Sequence, residues 1–414
     1  MLLSWLAVYA LFGDRLYVPR EPGNAVRIGG VVTLLLVAAM LASHPRARAA
    51  LLARLPRLPW LLAFAGLWAL LSLAGPLAGY PVHTAFAATV PLSVAVLAGV
   101  GALLGGRAEA GDEWLFRSLA AVAWVQFVAG LMQALLYSGL VATAPQRWLQ
   151  SWDTASAVDM GVRNIVGRSE GLYHNPNPYS LLGGMLLVLA LTLPITRARR
   201  AVLAVPAAGI VFLGASRGVV LALLLLALPP VVRAFRTLDV RRRVTVAVGG
   251  LATAVGAHFL LAAVAGEMYL RVFRRWLTLP ALLLRGAPGD VNVDARVGAW
   301  AKAVGFWAAH PIGSLGPPQM AISTFTDNDY ITMLLQGGLL LLLAYAGTLA
   351  SAYFWRRRSA LHAALGPLVV LVAVSGLSQT SALYVPALAL FWPAVGTIAA
   401  EAPGSDPPAA AEAT

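Results

Sequence analysis

Apolar runs of about 20 residues, none of them alternating with a period of two, follow one another through most of the 414-residue chain. Few architectures satisfy such a pattern. In a bilayer every backbone N–H and C=O must find its partner within the protein, and long unalternating runs achieve this only as helices. Helices are expected at 1–18, 25–43, 58–75, 83–105, 113–138, 178–195, 201–216, 218–235, 244–265, 328–355, 361–379 and 381–399. The expected fold class is all-α, a polytopic transmembrane helical bundle of about 12 spans in which 1–400 form a single transmembrane domain. The tail at 401–414, rich in Ala, Pro and acidic residues, is expected to be disordered.

Composition supports this and closes other routes. With 59% hydrophobic and 11% charged residues the chain cannot be an ordinary soluble protein. It has no Cys, hence no disulfide and no thiolate metal site. The net charge of +13 is accounted for first by basic loops facing anionic membrane lipids, so nucleic acid is not an expected partner. The first apolar run lacks a basic leader and an obvious cleavage site and reads as a retained helix.

Orientation follows from arginine parity. Arg46, Arg48, Arg54 and Arg57, then Arg197, Arg199 and Arg200, then Arg236 with Arg241 to Arg243, then Arg356 to Arg358, all fall on one side of this arrangement. By the positive-inside rule that side is cytoplasmic, which puts both termini inside. Two long connections, 139–177 and 266–327, then face outward as a smaller and a large loop, and connections of such length are usually functional. The large one also carries Arg271, Arg274, Arg275, Arg285, Arg296 and Lys302, either as an anionic-ligand surface or as charge that a long loop exports regardless.

Within the large loop, Arg271, Arg274 and Arg275 recur at helical spacing beside Phe273, Trp276 and Leu277, as in an amphipathic helix anchored at the interface. From Asp294 onward, Val297, Trp300, Ala301, Val304 and Trp307 form an apolar stripe expected to be packing. His310, before a Pro-Gly turn, is expected to be structural. Arg217, between two apolar runs, is either a snorkelling cation or a clamp for phosphate oxygens, to which a guanidinium presents a fixed fork of donors. The Asn-Pro pairs after Arg168 break helix and are expected to seat Tyr173, His174 and Asn177 at the membrane surface. Thr326 and Asp329 match a capping box, which leaves Asp327 and Asn328 less well explained. A carboxylate there would orient a sugar hydroxyl or take its proton. Metal ligands do not cluster and no nucleotide motif precedes a strand, so no cofactor is expected.

In order and spacing, RSEGLYHNPNPYS, GASRGVVLA, Arg296 with HPIGSLG, and DNDYITMLLQGGLLLLL resemble the superfamily of membrane O-antigen ligases and Wzy-type O-antigen polymerases over about 160–345. The resemblance implies a metal-independent, GT-C-type glycosyltransferase in lipopolysaccharide or other polysaccharide biosynthesis. It would move glycan from an undecaprenyl-diphosphate-linked oligosaccharide to an acceptor glycan on the periplasmic face of a bacterial inner membrane, which would make 139–177 and 266–327 periplasmic loops, with inversion, and a chain-length regulator protein would be a further partner. Arg217, Arg296 and Arg168 would bind diphosphate, Asp327, Asn328 and Asp329 would be catalytic, and Arg271, Arg274, Arg275, Tyr173, His174, Asn177 and Tyr330 would line the substrate. Ligases carry His-Asn where this chain has Asp327-Asn328, which favours a polymerase. Arg217 and Arg296 are expected across the cleft from Asp327. A ligase acting on lipid A core, a protein O-glycosyltransferase, and a transporter or flippase of lipid-linked sugars are the alternatives.

Overall fold

The computed structural model describes residues 7–11, 17–18, 26–80, 87–105, 113–137, 168–173, 175–285, 291–315, 321–323, 326–355 and 360–400. These are almost wholly helical. The exception is a two-stranded ladder in which Tyr17–Val18 (β1) runs antiparallel to Val26–Arg27 (β2), with Tyr17 opposite Arg27. It corrects the expected helix at 1–18, of which 7–11 are helical, and the change follows the Gly13-Asp14-Arg15 interruption of the apolar run.

Next come α1 (Ile28–Ser43) and α2 (Pro45–Arg54), bent from one another by 112°. Pro45 cannot donate an N–H, and the residue before a proline is pushed out of the helical region, as His44 is at φ −126° and ψ 81°. Then follow α3 (Pro59–Ala74), α4 (Thr89–Gly105), α5 (Glu113–Tyr137), α6 (Pro176–Thr192), α7 (Arg197–Gly214) and α8 (Arg217–Thr237). The long α9 (Val240–Arg285) breaks at Gly266, φ 49°, where the expected span gives way to the expected amphipathic helix. After it stand α10 (Val291–Ala309), α11 (Asp329–Phe354) and α12 (Ala360–Ser375). A π-helical turn, Ala387–Phe391, leads into α13 (Trp392–Gly396).

Among the described residues five helical segments are long and apolar enough to cross a membrane, or six if the bent pair counts as one. The described residues therefore do not display about 12 full spans. Thr89–Leu103, Pro176–Thr192, Ala363–Ser375 and Ala387–Ala400 are apolar but shorter, and a helix rises only ~1.5 Å per residue against ~30 Å of hydrocarbon.

Lipid is as apolar as leucine, so close backbone approach must hold such helices together. A Cβ on Gly101 of α4 would come within 1.8 Å of the Pro393 carbonyl oxygen, and one on Gly396 within 1.7 Å of that of Ala98. Only glycine permits this contact. Above it an aromatic core joins three helices, with Phe64 lying 5.4 Å from Trp68, 5.3 Å from Tyr345 and 6.0 Å from Trp392.

The helices alternate in direction, and this sorts their ends. The starts of α6, α8 and α11 and the turn after α12 share one end, joined by hydrogen bonds from Arg168 to Gly214 and from Asn328 to Leu377. The opposite end carries the arginines. There Arg54 donates to the Ala102 carbonyl at 2.6 Å, Arg57 to that of Ala399 at 3.1 Å, and Arg199 pairs with Glu113.

Candidate functional site

At the first end, α11 begins beneath a short extended segment. Asn328 is its N-cap and accepts from Ile331 N at 3.0 Å, while its amide donates to the Leu377 carbonyl at 2.9 Å. The expected Thr326–Asp329 capping box is thereby corrected. Thr326 instead bonds Thr332 through its hydroxyl, and Asp329 sits one position inside the helix. Asn328 wins because its amide serves both helix and neighbouring turn, whereas Asp329 points inward.

Asp329 is fully buried, a costly place for a carboxylate. Its Oδ2 accepts from Ala382 N at 3.0 Å and from the Tyr345 hydroxyl at 3.2 Å, while Oδ1 has no hydrogen-bond partner. Its own N–H donates to the Gly376 carbonyl at 2.8 Å. A Cβ on Gly376 would come within 2.6 Å of Oδ2, so the carboxylate and the turn are built around each other. Trp392, from the aromatic core, donates to the Ala382 carbonyl at 3.0 Å and fixes the far side of that turn.

The turn continues the network to α8. Ser375 and Ser381 share a hydrogen bond of 2.7 Å, Gln379 donates to Ser381 at 3.1 Å, and Ser216 donates to Gln379 at 3.1 Å. Arg217 follows as the first residue of α8 and is half-buried. Arg168 braces the same corner, donating to the Gly214 carbonyl at 2.8 Å and to Asn177 at 2.7 Å. One polar chain thus runs from Arg168 through the start of α8 and the 375–382 turn to Asp329.

Arg296, on α10, meets this assembly through Asp327, with Nη2 lying 3.2 Å and Nε 3.3 Å from Oδ2. Asp327 has φ 44°, a left-handed conformation that Asp tolerates better than most residues. The pair stays in contact with solvent, at 27% and 39% side-chain exposure. Arg296 therefore stands beside Asp327 and not across from it, a correction to the expected arrangement. Trp300 adds a second tie, donating to the Thr326 carbonyl at 2.6 Å.

The HPIGSLG motif has a structural task. Gly337 and Gly338 interrupt α11, with Gly338 at φ 62°, which deprives the Leu335 and Gln336 carbonyls of their helical donors. Ser314 N donates to the first at 2.7 Å and Leu315 N to the second at 3.3 Å. Gly313, φ 91°, lies so close that a Cβ would come within 2.7 Å of the Gln336 carbonyl. The segment after α10 is thus strapped to the broken helix, and His310, stacked on Phe306 at 4.3 Å, closes α10 as expected.

Other expectations fare differently. Tyr173 is buried and bonds the Ala10 carbonyl, not a surface. Asn177 is buried against Arg168, and Tyr330 donates to the Ala373 carbonyl at 3.0 Å. In α10 it is Ala299 and Ala303 that face inward, whereas Val297 is 52% and Val304 43% exposed, so the stripe is not packing. Arg271, Arg274 and Arg275 lie on α9 beyond its break, and their side chains fall outside the described residues, as do His174, 139–167 and the tail.

Sequence reasoning missed Ser216, Ser375, Gln379 and Ser381, although a run of polar residues between two apolar helices was there to find. It also missed Gln126 and Gln133, mid-helix amides in α5 that hold the 168–173 segment. Gln133 accepts from Glu170 N and Gly171 N at 3.0 and 2.9 Å, and Gln126 from Leu172 N at 2.9 Å.

No group of three or more His, Asp or Glu positioned for a metal occurs among the described residues. No model of a known protein family matches the chain, and no curated protein matches it either.

Proposed function

We propose that this chain is a metal-independent membrane glycosyltransferase, of the kind that polymerises O-antigen or exopolysaccharide from an undecaprenyl-diphosphate donor. The site would face the periplasm, since it lies at the end opposite the arginine clusters, and a bundle of about 12 membrane-embedded segments would carry it in the inner membrane. The observation that supports this reading best is the Arg296–Asp327 pair, a solvent-accessible cation and carboxylate beside the buried polar turn that abuts Arg217.

In this mechanism the ion pair is the resting state. Donor diphosphate takes Arg296 into charge-assisted hydrogen bonds and releases Asp327. The freed carboxylate holds the acceptor hydroxyl and accepts its proton as the oxygen attacks the anomeric carbon from the side away from the diphosphate. The bond from that carbon to the diphosphate oxygen breaks, and Arg296 and Arg217 stabilise the negative charge that departs with undecaprenyl diphosphate. Arg168 acts as a positioning residue through Gly214 and Asn177. Asp329 holds the 375–382 turn.

Two other acceptors fit the same chemistry, lipid A core and a protein, and the acceptor assay separates them. A transporter of lipid-linked sugars draws support from the break in α11, because transporters build sites at interrupted helices. Here, though, backbone from 314–315 takes the carbonyls that a transporter would turn toward a cavity. Purified protein incubated with undecaprenyl-diphosphate oligosaccharide should yield a ladder of longer glycans. Donor recovered unchanged, with flux across a sealed vesicle, would establish transport instead.

A further inference from the structure

At the arginine-rich end α2 turns across the bundle instead of along it. Because the bend from α1 is 112°, past a right angle, His44 and Pro45 form the outermost point. The ten residues of α2, at ~1.5 Å each, then climb about 5 Å back toward the bundle. Its inner side is fixed. Leu51 is buried, a Cβ on Gly99 of α4 would come within 3.0 Å of its Cδ1, and Arg54 at the upper end donates to the Ala102 carbonyl at 2.6 Å. The outer side is not covered, and Leu52 there is 64% exposed. Arg46 and Arg48, in the first turn, are exposed, and neither guanidinium meets a hydrogen-bond or ion-pair partner among the described residues. The described carboxylates of this end are already engaged, Glu113 with Arg117 and Arg199, and Asp239 with Arg242.

The helix is thus graded along its length, with unpaired positive charge in its outermost turn and the exposed apolar residues Ala49, Leu52 and Ala53 further in. That order is the order of a membrane boundary, where headgroups lie outermost and hydrocarbon begins ~5–10 Å deeper. The one arginine at the deeper end of α2, Arg54, is also the one whose charge a backbone carbonyl takes up. Inorganic phosphate or an acidic protein would answer Arg46 and Arg48 and leave Leu52 facing water. A zwitterionic lipid would cover Leu52 and bring no net charge to the arginines. Residues two apart on a helix do not face each other, so Arg46 and Arg48 flank α2 and take separate headgroups. We infer that α2 is an in-plane helix that binds anionic phospholipid, with headgroups on Arg46 and Arg48 and acyl chain against Leu52, independently of the reaction proposed at the other end. Basic loops at large would attract such lipids through any exposed arginine, whereas this assignment confines the preference to two.

The test uses the full chain in detergent, with phosphatidylglycerol, phosphatidylcholine and inorganic phosphate as probes, bound lipid read by native mass spectrometry and melting temperature followed alongside. Phosphatidylglycerol should bind about tenfold or more tightly than phosphatidylcholine, the effect of roughly two arginines near a membrane surface. The double variant Arg46→Gln with Arg48→Gln should lose most of that preference while melting as the parent does without lipid. Arg54→Gln should melt lower and keep the preference. Because the chain has no Cys, a nitroxide on Leu52→Cys reports this position alone. In phosphatidylglycerol vesicles it should be relaxed by dissolved oxygen and shielded from a water-soluble nickel complex. Equal binding of the two lipids by the parent, an intact preference in the double variant, displacement of phosphatidylglycerol by an equal concentration of phosphate, or a label at 52 open to nickel would each overturn the assignment.

Discussion

Arginine occurs at both ends of this bundle and does different work at each. At the arginine-rich end Arg242 pairs locally with Asp239 at 75% and 60% side-chain exposure, while Arg54 and Arg57 reach 48 and 342 residues along the chain to close helix ends at the Ala102 and Ala399 carbonyls. At the other end Arg296 reaches 31 residues along the chain to Asp327, and Arg168 reaches 46 to Gly214. An exposed local pair such as Arg242–Asp239 is worth roughly 0–1 kcal/mol. Long-range ties at both ends define where separate helices meet, and at the site end losing one moves the groups proposed for the chemistry.

This contrast is open to direct challenge. Arg296→Ala should lower glycan elongation by ~10²-fold or more, about 3 kcal/mol of lost charge stabilisation, with Lys rescuing poorly because it lacks the planar fork. Next in size, Gly338→Ala should cost about 3 kcal/mol of stability, read as a lower melting temperature, because a Cβ would meet the Pro311 carbonyl oxygen at 2.1 Å in a left-handed residue. Asp329→Asn should cost about 1–3 kcal/mol, since the amide keeps one acceptor but adds donors beside Ala382 N. Asn328→Ala should cost about 1 kcal/mol as a lost N-cap. Arg242→Gln, at the other end, should change melting by less than about 0.5 kcal/mol and elongation by less than about twofold. A large effect there would dissolve the distinction between an exposed local pair and the ties at the site.

Much of the fold was legible because apolar length is a local signal. The starts of α8 and α11 fall within a residue of expectation, and the break in α9 at Gly266 falls where the expected apolar span ends. The bend at Pro45 was written in the chain but overlooked amid basic residues that read as a loop. The break at Gly337 and Gly338 was hidden because it is stable only with the Gly313 segment docked on it, a tertiary fact. The stripe on α10 also misled, since Ala299 and Ala303 are buried while the larger Val297 and Val304 are exposed. Within the site, charge was visible and its brace was not. Asp327 and Arg296 stood out as charged residues beside an apolar run, whereas the 375–382 turn is made of Ser, Gln and Gly and matters only through what it touches.

The central claim is that Asp327 serves the acceptor once diphosphate has drawn Arg296 away. Asp327→Asn, reconstituted with undecaprenyl-diphosphate oligosaccharide, is the most direct test, with donor binding and product ladder measured on the same sample. Donor should bind at least as tightly as to the parent, because Arg296 no longer has a carboxylate to leave, and the ladder should be absent. A ladder of normal length and rate from Asp327→Asn would contradict the account.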